Sequence, residues 1–250
     1  MKREVKSVRK EKHLLGDVFV LLFCRWFQKV LVKIRGAFHC PGFYSLRLVP
    51  FFLLCLFIVP AQAADELAAQ IAARIEQHPV LRANFEQEKQ MAALKRPLLT
   101  AGKLTLSRQH GVLWQIERPY RMSYVLAETR IVEIDAAGQR RERGGKEVPG
   151  LAQVGRVFRA MLGGKLDVLR ETFEVTVSGD LQKWQVKLKP LQAAVAQYLL
   201  AMELSGSEFV EGVTLIEAGG DTTQIRFRNS SGAQALKDDE RQVFGANAGS

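Results

Sequence analysis

Gly111-Val112-Leu113-Trp114-Gln115-Ile116-Glu117-Arg118-Pro119-Tyr120-Arg121-Met122-Ser123-Tyr124-Val125-Leu126 is the stretch on which the fold turns. Val112, Trp114 and Ile116 alternate with Gln115 and Glu117. Beyond Arg118-Pro119, Tyr120, Met122, Tyr124 and Leu126 share a face opposite Arg121 and Ser123. A period of two is strand spacing, with one set of side chains toward a core and the other toward water. Two short runs of this kind, separated by a proline that cannot donate to a ladder, predict consecutive antiparallel strands.

The same period extends in both directions. Upstream, Leu81 to Glu86 alternates, and Leu104 and Leu106 alternate with Lys103, Thr105 and Ser107. Downstream, Ile131 to Asp135 is a further short strand. Strand signals resume at Phe173-Val175-Val177, Trp184-Val186-Leu188, Tyr198-Leu200-Met202-Leu204, Val210–Glu217 and Thr223–Phe227. Gly219-Gly220-Asp221 joins the last two as a hairpin. The period lengthens in two places. Leu67, Ile71 and Ile75 predict a helix over Asp65–Gln77, ended by His78-Pro79. Leu151, Val154, Val157, Phe158, Met161 and Leu162 predict a second helix closed by Gly163-Gly164, followed by a short one over Asp167–Glu171. Arg140-Arg141-Glu142-Arg143 reads as a solvated turn. After Asn229 the chain turns polar, and Lys237 to Arg241 reads as a frayed tail. The expectation is one α+β domain of about ten antiparallel strands, curled into a barrel or a strongly curved sheet, with helices over the mouth or one face.

Ahead of this domain, Arg47 to Ala63 places a basic residue before a short apolar run, about 48–60, that ends in Ala61-Gln62-Ala63. That is the layout of a secretory signal with cleavage after Ala63. The chain then divides into a 1–63 leader and a 64–250 domain. Residues 1–46 read either as a membrane-surface segment or as residues ahead of the true start. Formal net charge is +10 over 250 residues, but residues 64–250 carry 25 basic and 23 acidic side chains. The excess charge therefore belongs to the leader and is no signature of nucleic-acid binding. Cys24, Cys40 and Cys55 also lie in the leader. The domain thus has no disulfide, no thiolate nucleophile and no cysteine ligand for a metal.

The remaining catalytic inventory is thin. His78 precedes a proline and His110 sits in a turn, and neither has a metal-ligating neighbour at usable spacing. There is no Gly-x-Ser-x-Gly elbow, and Gly163-Gly164-Lys165 lacks the rest of a phosphate loop. An exported, cysteine-free, histidine-poor β domain is expected to be a binder or carrier with no metal and no cofactor, and not an enzyme. Arg118 stands apart. Regular alternation puts it on the side of Trp114 and Ile116, where a guanidinium would face an apolar interior unless it snorkels at the rim.

Dispersed but ordered pieces of the chain resemble the LolA family of periplasmic lipoprotein carriers. They are Phe85-x-Gln87, Gly102-Lys103-Leu104, Leu113-Trp114 followed by Arg118-Pro119, and Glu217-x-Gly219-Gly220-Asp221-x-Thr223-x-Ile225-x-Phe227. The resemblance spans 65–229. It implies an incomplete antiparallel β-barrel with an N-terminal helix and a helical lid insertion, the lid falling on Gly150–Gly164. It further implies an apolar interior for acyl chains, to which Phe85, Trp114, Ile116, Tyr120, Met122 and Tyr124 would contribute, and Arg118 as the clamp that holds the lid. The implied function is a monomeric periplasmic shuttle in a Gram-negative cell, soluble after signal cleavage. It would move a lipoprotein or lipid from an inner-membrane exporter to an outer-membrane acceptor. The chain departs from the family in Ile134 to Arg141, which lacks the expected Leu-Trp and Tyr-x-Pro, and it has no C-terminal Pro-Pro-x-Gly. Unusual lipids therefore stay open as cargo. The alternatives are a LolB-like outer-membrane acceptor and a lipid-modifying enzyme on the same fold. Against the acceptor, Leu54 before Cys55 and His39 before Cys40 do not make a lipobox.

Overall fold

The computed structural model describes residues 60–128, 130–144 and 151–245. Residues 48–59 of the expected signal's apolar run and Gly150, the first residue of the expected lid, lie outside the described residues.

Helix α1 (Pro60–Glu76) leads into six strands: β1 (Val80–Gln90), β2 (Leu98–Ser107), β3 (Gly111–Arg118), β4 (Met122–Leu126), β5 (Arg130–Asp135) and β6 (Arg140–Gly144). Helices α2 (Leu151–Gly163) and α3 (Leu166–Arg170) follow. The second half holds β7 (Phe173–Asp180), β8 (Lys183–Pro190), the short α4 (Ala193–Ala196), β9 (Leu199–Gly206), β10 (Val210–Glu217), β11 (Thr222–Ala233) and α5 (Asp238–Phe244). Among the described residues, eleven strands form one sheet in the order β6-β5-β4-β3-β2-β1-β11-β10-β9-β8-β7. Every neighbouring pair is antiparallel. The chain makes two meanders, joined where the first strand pairs the last. The sheet is not closed into a barrel. Its free edges are β6 and β7, and α2 and α3 lie between them in the sequence.

One face of the sheet and the helices share the main core. Leu81, Ala83 and Phe85 of β1, Val112, Trp114 and Ile116 of β3, and Ile225 and Phe227 of β11 supply part of the sheet side. Ala68, Ile71 and Ile75 of α1 come from one helical stripe, and Val157, Phe158, Met161 and Leu162 of α2 from another. Each large side chain so buried contributes about 1.5–3 kcal/mol. Two of the dispersed motifs meet at one end of the sheet. Lys89, two residues past Gln87 and 3% exposed, reaches Glu217 at 2.5 Å and Asp221 at 3.8 Å across the β10–β11 hairpin.

Three sequence expectations are corrected. Arg140 to Arg143 is not a turn but edge strand β6, paired to β5, with Arg143 to Glu133 at 3.3 Å and Arg130 to Glu142 at 3.5 Å. The turn lies just before it, where Asp135 Oδ1 accepts from the Ala137 and Gln139 amides at 2.9 Å. Charged residues suit an edge strand because they discourage pairing with another chain. Next, β11 does not stop at Phe227 but runs to Ala233, passing Asn229 at φ 53° beside a bulge in its pairing with β1. Last, the polar tail is helix α5, which lies over the outer face of the sheet. Leu236 and Phe244 pack there against Val80, Leu113, Val125 and Val132. Glu240 takes a two-pronged bond from Arg82 at 2.7 and 2.5 Å and one from the Thr105 hydroxyl at 3.1 Å. The outer face is therefore only partly wet.

Gly102 marks the sharpest approach between β2 and β3. A Cβ there would stand 1.8 Å from the Gln115 carbonyl oxygen, a backbone atom that cannot move aside. Gly102→Ala is expected to lower the unfolding free energy by about 1–3 kcal/mol or more, measured as an earlier urea midpoint. A midpoint equal to wild type would show that the two strands can separate at no cost.

Candidate functional site

The site is the face of the open sheet that shares a core with the helices, together with α2. Phe85, Trp114, Ile116 and Tyr124 all point inward and are 1–4% exposed. Phe85 and Trp114 stack with centroids 3.9 Å apart, and Phe227 meets Trp114 edge-on at 6.3 Å. From the other side, Phe158 of α2 sets its ring edge against Trp114 at 5.8 Å. Met122 is half-buried against the same core, and Tyr120 is half-buried in the connection between β3 and β4. Five of the six apolar candidates thus share this core. Helix α2 meets this core through Phe158 against Trp114.

Arg118 is elsewhere. Gly102 pairs with Ile116, but its neighbour Ala101 pairs with Arg118, so Glu117 is an extra residue in β3. This bulge reverses the alternation after Ile116. Arg118 falls on the outer face, exposed, in a groove with Glu86, Leu99, Gln224 and Arg226. Among the described residues it makes no hydrogen bond to α2, so regular alternation gave it the wrong face.

Two other arginines hold α2 instead. Arg108, in the turn after β2, donates from Nη2 to the Ile75 carbonyl at 2.9 Å and from Nε to the His78 carbonyl at 3.0 Å. Its Nη1 and Nη2 also reach the Gly163 carbonyl at 3.4 Å. It thereby gathers the C-terminal ends of α1 and α2, where the helix dipole favours a cation. Arg159, on α2 itself, donates from Nη1 to the Ala127 carbonyl at 3.0 Å, next to β4. Burial pushes its guanidinium below the ordinary arginine value, and the charge of Glu128 works in the opposite direction. Sequence reading missed both. Arg108 looks like any turn residue. Arg159 is a basic residue following Phe158 in an apolar helix, which without coordinates is indistinguishable from a solvated position.

The histidines are better packed than turn residues would be. His78 lies 5.2 Å from the Phe209 ring and 3.8 Å from Glu208, and His110 lies 6.0 Å from Phe244. No cluster of three His, Cys, Asp or Glu among the described residues could hold a metal ion.

Residues 59–225 match the family described as outer membrane lipoprotein carrier protein LolA-like. The chain belongs to the LolA-like family. That membership carries carrier-type binding of lipids or lipoproteins as its general class of function. The LolA-like chain is also similar in structure to a LolA superfamily protein from Nitrosomonas europaea, at 8% identity, with 69% of this chain and 96% of that one covered and a TM-score of 0.38. It is similar to LprF from Mycobacterium bovis, at 11% identity, with 71% and 96% covered and a TM-score of 0.38. A third likeness is to the Pseudomonas aeruginosa MucA/MucB complex, at 13% identity, with 75% and 61% covered and a TM-score of 0.42. No curated protein sequence matches the chain. Among the described residues no helix is long and apolar enough to cross a membrane.

Proposed function

We propose that this LolA-like protein is a non-enzymatic periplasmic carrier that takes the acyl chains of a lipoprotein or lipid between the Trp114 face and helix α2. It would receive them from an inner-membrane exporter, pass them to an outer-membrane acceptor, and work as a monomer without a cofactor. The observation that carries this reading is the contact of Phe158 with Trp114. An aromatic inner face on an open sheet is met by Phe158 of α2, and that helix is tied at its rim by arginine–carbonyl bonds as well as by its apolar side chains.

The energetics suit a carrier. Burial of acyl methylenes yields about 0.8 kcal/mol each, so ten give roughly 8 kcal/mol, a micromolar dissociation constant. Part of that is offset by displacing Val157, Phe158 and Met161 from the inner face, because the ligand replaces contacts that the empty protein already makes. A helix that closes over its own site therefore keeps the apolar face dry between cargoes and weakens retention enough for hand-over.

Native mass spectrometry of the protein recovered from the periplasm tests this. The expected spectrum has a population heavier than the processed chain by the mass of an acylated molecule, removable by an apolar competitor. A bare chain, with added lipids failing to shift it, would contradict carriage.

A further inference from the structure

We propose that Arg108 and Arg159 form a site for a phosphate-bearing lipid headgroup, and that filling this site releases helix α2. The inference rests on the carrier reading and names the chemistry of its cargo.

Two adjoining cavities, about 330 and 470 Å³, lie along the rim between α2 and the sheet, and both are lined by Arg108 and Arg159. The other cations around them are already matched. Lys165 is paired to Glu76 at 2.7 Å, Arg156 to Glu171 at 2.6 Å and Arg130 to Glu142 at 3.5 Å. Glu128 also lines the larger cavity. Arg108 and Arg159 differ from these cations. Their hydrogen bonds all run to neutral carbonyl oxygens, and among the described residues neither has a carboxylate within 4.0 Å. Their formal charges are thus hydrogen-bonded but not ion-paired. Burial already disfavours the charge on Arg159. A partly desolvated guanidinium with no carboxylate in contact, Glu128 acting on Arg159 only as a more distant charge, is a strong site for an oxyanion, and its fork of N–H groups matches a phosphate.

Position ties this site to the inner face. The smaller cavity is also walled by Leu106, Ala160 and Val168, and Leu106 is an inward residue of β2. A lipid whose phosphate sits on the arginines can thus lead its chain past Leu106 and beneath α2. The coupling follows from shared donors. The two arginines that line both cavities are the ones whose N–H groups hold α2 through the Gly163 and Ala127 carbonyls. A phosphate that takes them competes with those bonds, so headgroup binding and helix release become linked equilibria.

Calorimetric titration of the full chain with monomeric short-chain phosphatidic acid and phosphatidylcholine of identical tails tests the proposal. The phosphatidic acid is expected to bind about tenfold more tightly, the scale of a charge-assisted hydrogen bond. Arg159→Gln, which keeps a donor for the Ala127 carbonyl, should reduce that ratio to about threefold or less, whereas Arg159→Lys, which keeps the charge but not the fork, should fall between Gln and wild type. Equal binding of the two lipids, unchanged by Arg159→Gln, overturns the headgroup site and leaves acyl carriage standing. Inorganic phosphate binding as tightly as phosphatidic acid overturns the lipid assignment in favour of a free anion. Binding of neither lipid overturns both this proposal and the carrier reading.

Discussion

Trp114→Ala lowers the unfolding free energy by about 3–5 kcal/mol, the loss expected when a large buried aromatic is truncated in a packed core. Trp114 is 1% exposed and touches Phe85, Phe158 and Phe227, which belong to three different elements. No single neighbour can move to fill the gap, because the two strand residues are pinned by the sheet and Phe158 by its helix. The check is a urea titration followed by circular dichroism. Because Trp114 also lines the proposed acyl site, a saturating fatty acid should restore part of the loss by binding only the folded state. A loss below about 1 kcal/mol would show that α2 collapses onto the vacated space and is not a fixed cover.

Glu240→Ala is expected to cost a comparable amount, about 3–5 kcal/mol, because it leaves Arg82 half-buried without its counter-charge. The carboxylate is the hub that fixes α5. It accepts from Arg82, from Thr105 on β2 and from the Lys237 amide at 2.8 Å. Burial pushes the Glu240 carboxyl upward, but the bonds from Arg82, the Lys237 amide and Thr105, with the charge of Arg82, outweigh it and hold the group below its ordinary value. A depressed carboxylate stabilises the fold at pH values above its unfolded value, about 4.3, and the contribution fades as pH falls through the lower folded value. Unfolding free energy measured between neutral and acid pH should therefore decline in wild type. In Glu240→Gln the part of the decline due to this group is absent. Parallel slopes in the two proteins would mean that the pair does not anchor α5.

The run from Gly111 to Leu126 made the sheet legible because alternation is a local property and the turn residues around it are local too. The inner-face residues Phe85, Trp114, Ile116 and Tyr124 followed from the same period. Its limit is equally clear at Arg118. A single extra residue at Glu117 inverts the face, and nothing in Gln115-Ile116-Glu117-Arg118 announces a bulge. The outer core carried a signal that went unread. Val112-Leu113-Trp114 and Tyr124-Val125-Leu126 are apolar on consecutive positions, which means burial on both faces of the sheet. The covering helix was hidden because α5 is almost wholly charged along Asp238-Asp239-Glu240-Arg241 and packs only Val243 and Phe244 as apolar side chains, the rest of its attachment being polar, through Arg82, Thr105 and Arg140. Arg108 and Arg159 were beyond reach for a different reason. Their roles depend on where the ends of α1 and α2 meet the sheet, a tertiary relation with no sequence period.

The central claim is that an acyl chain enters beneath α2. Photolabelling the protein with a diazirine-bearing fatty acid, followed by residue-level mapping, tests it most directly. The account predicts saturable labelling at Phe85, Trp114, Ile116 and Phe158, competed away by an unlabelled acyl lipid. Labelling confined to the outer-face residues Leu113, Val125 and Val132, or to the groove around Leu99 and Arg118, would contradict it.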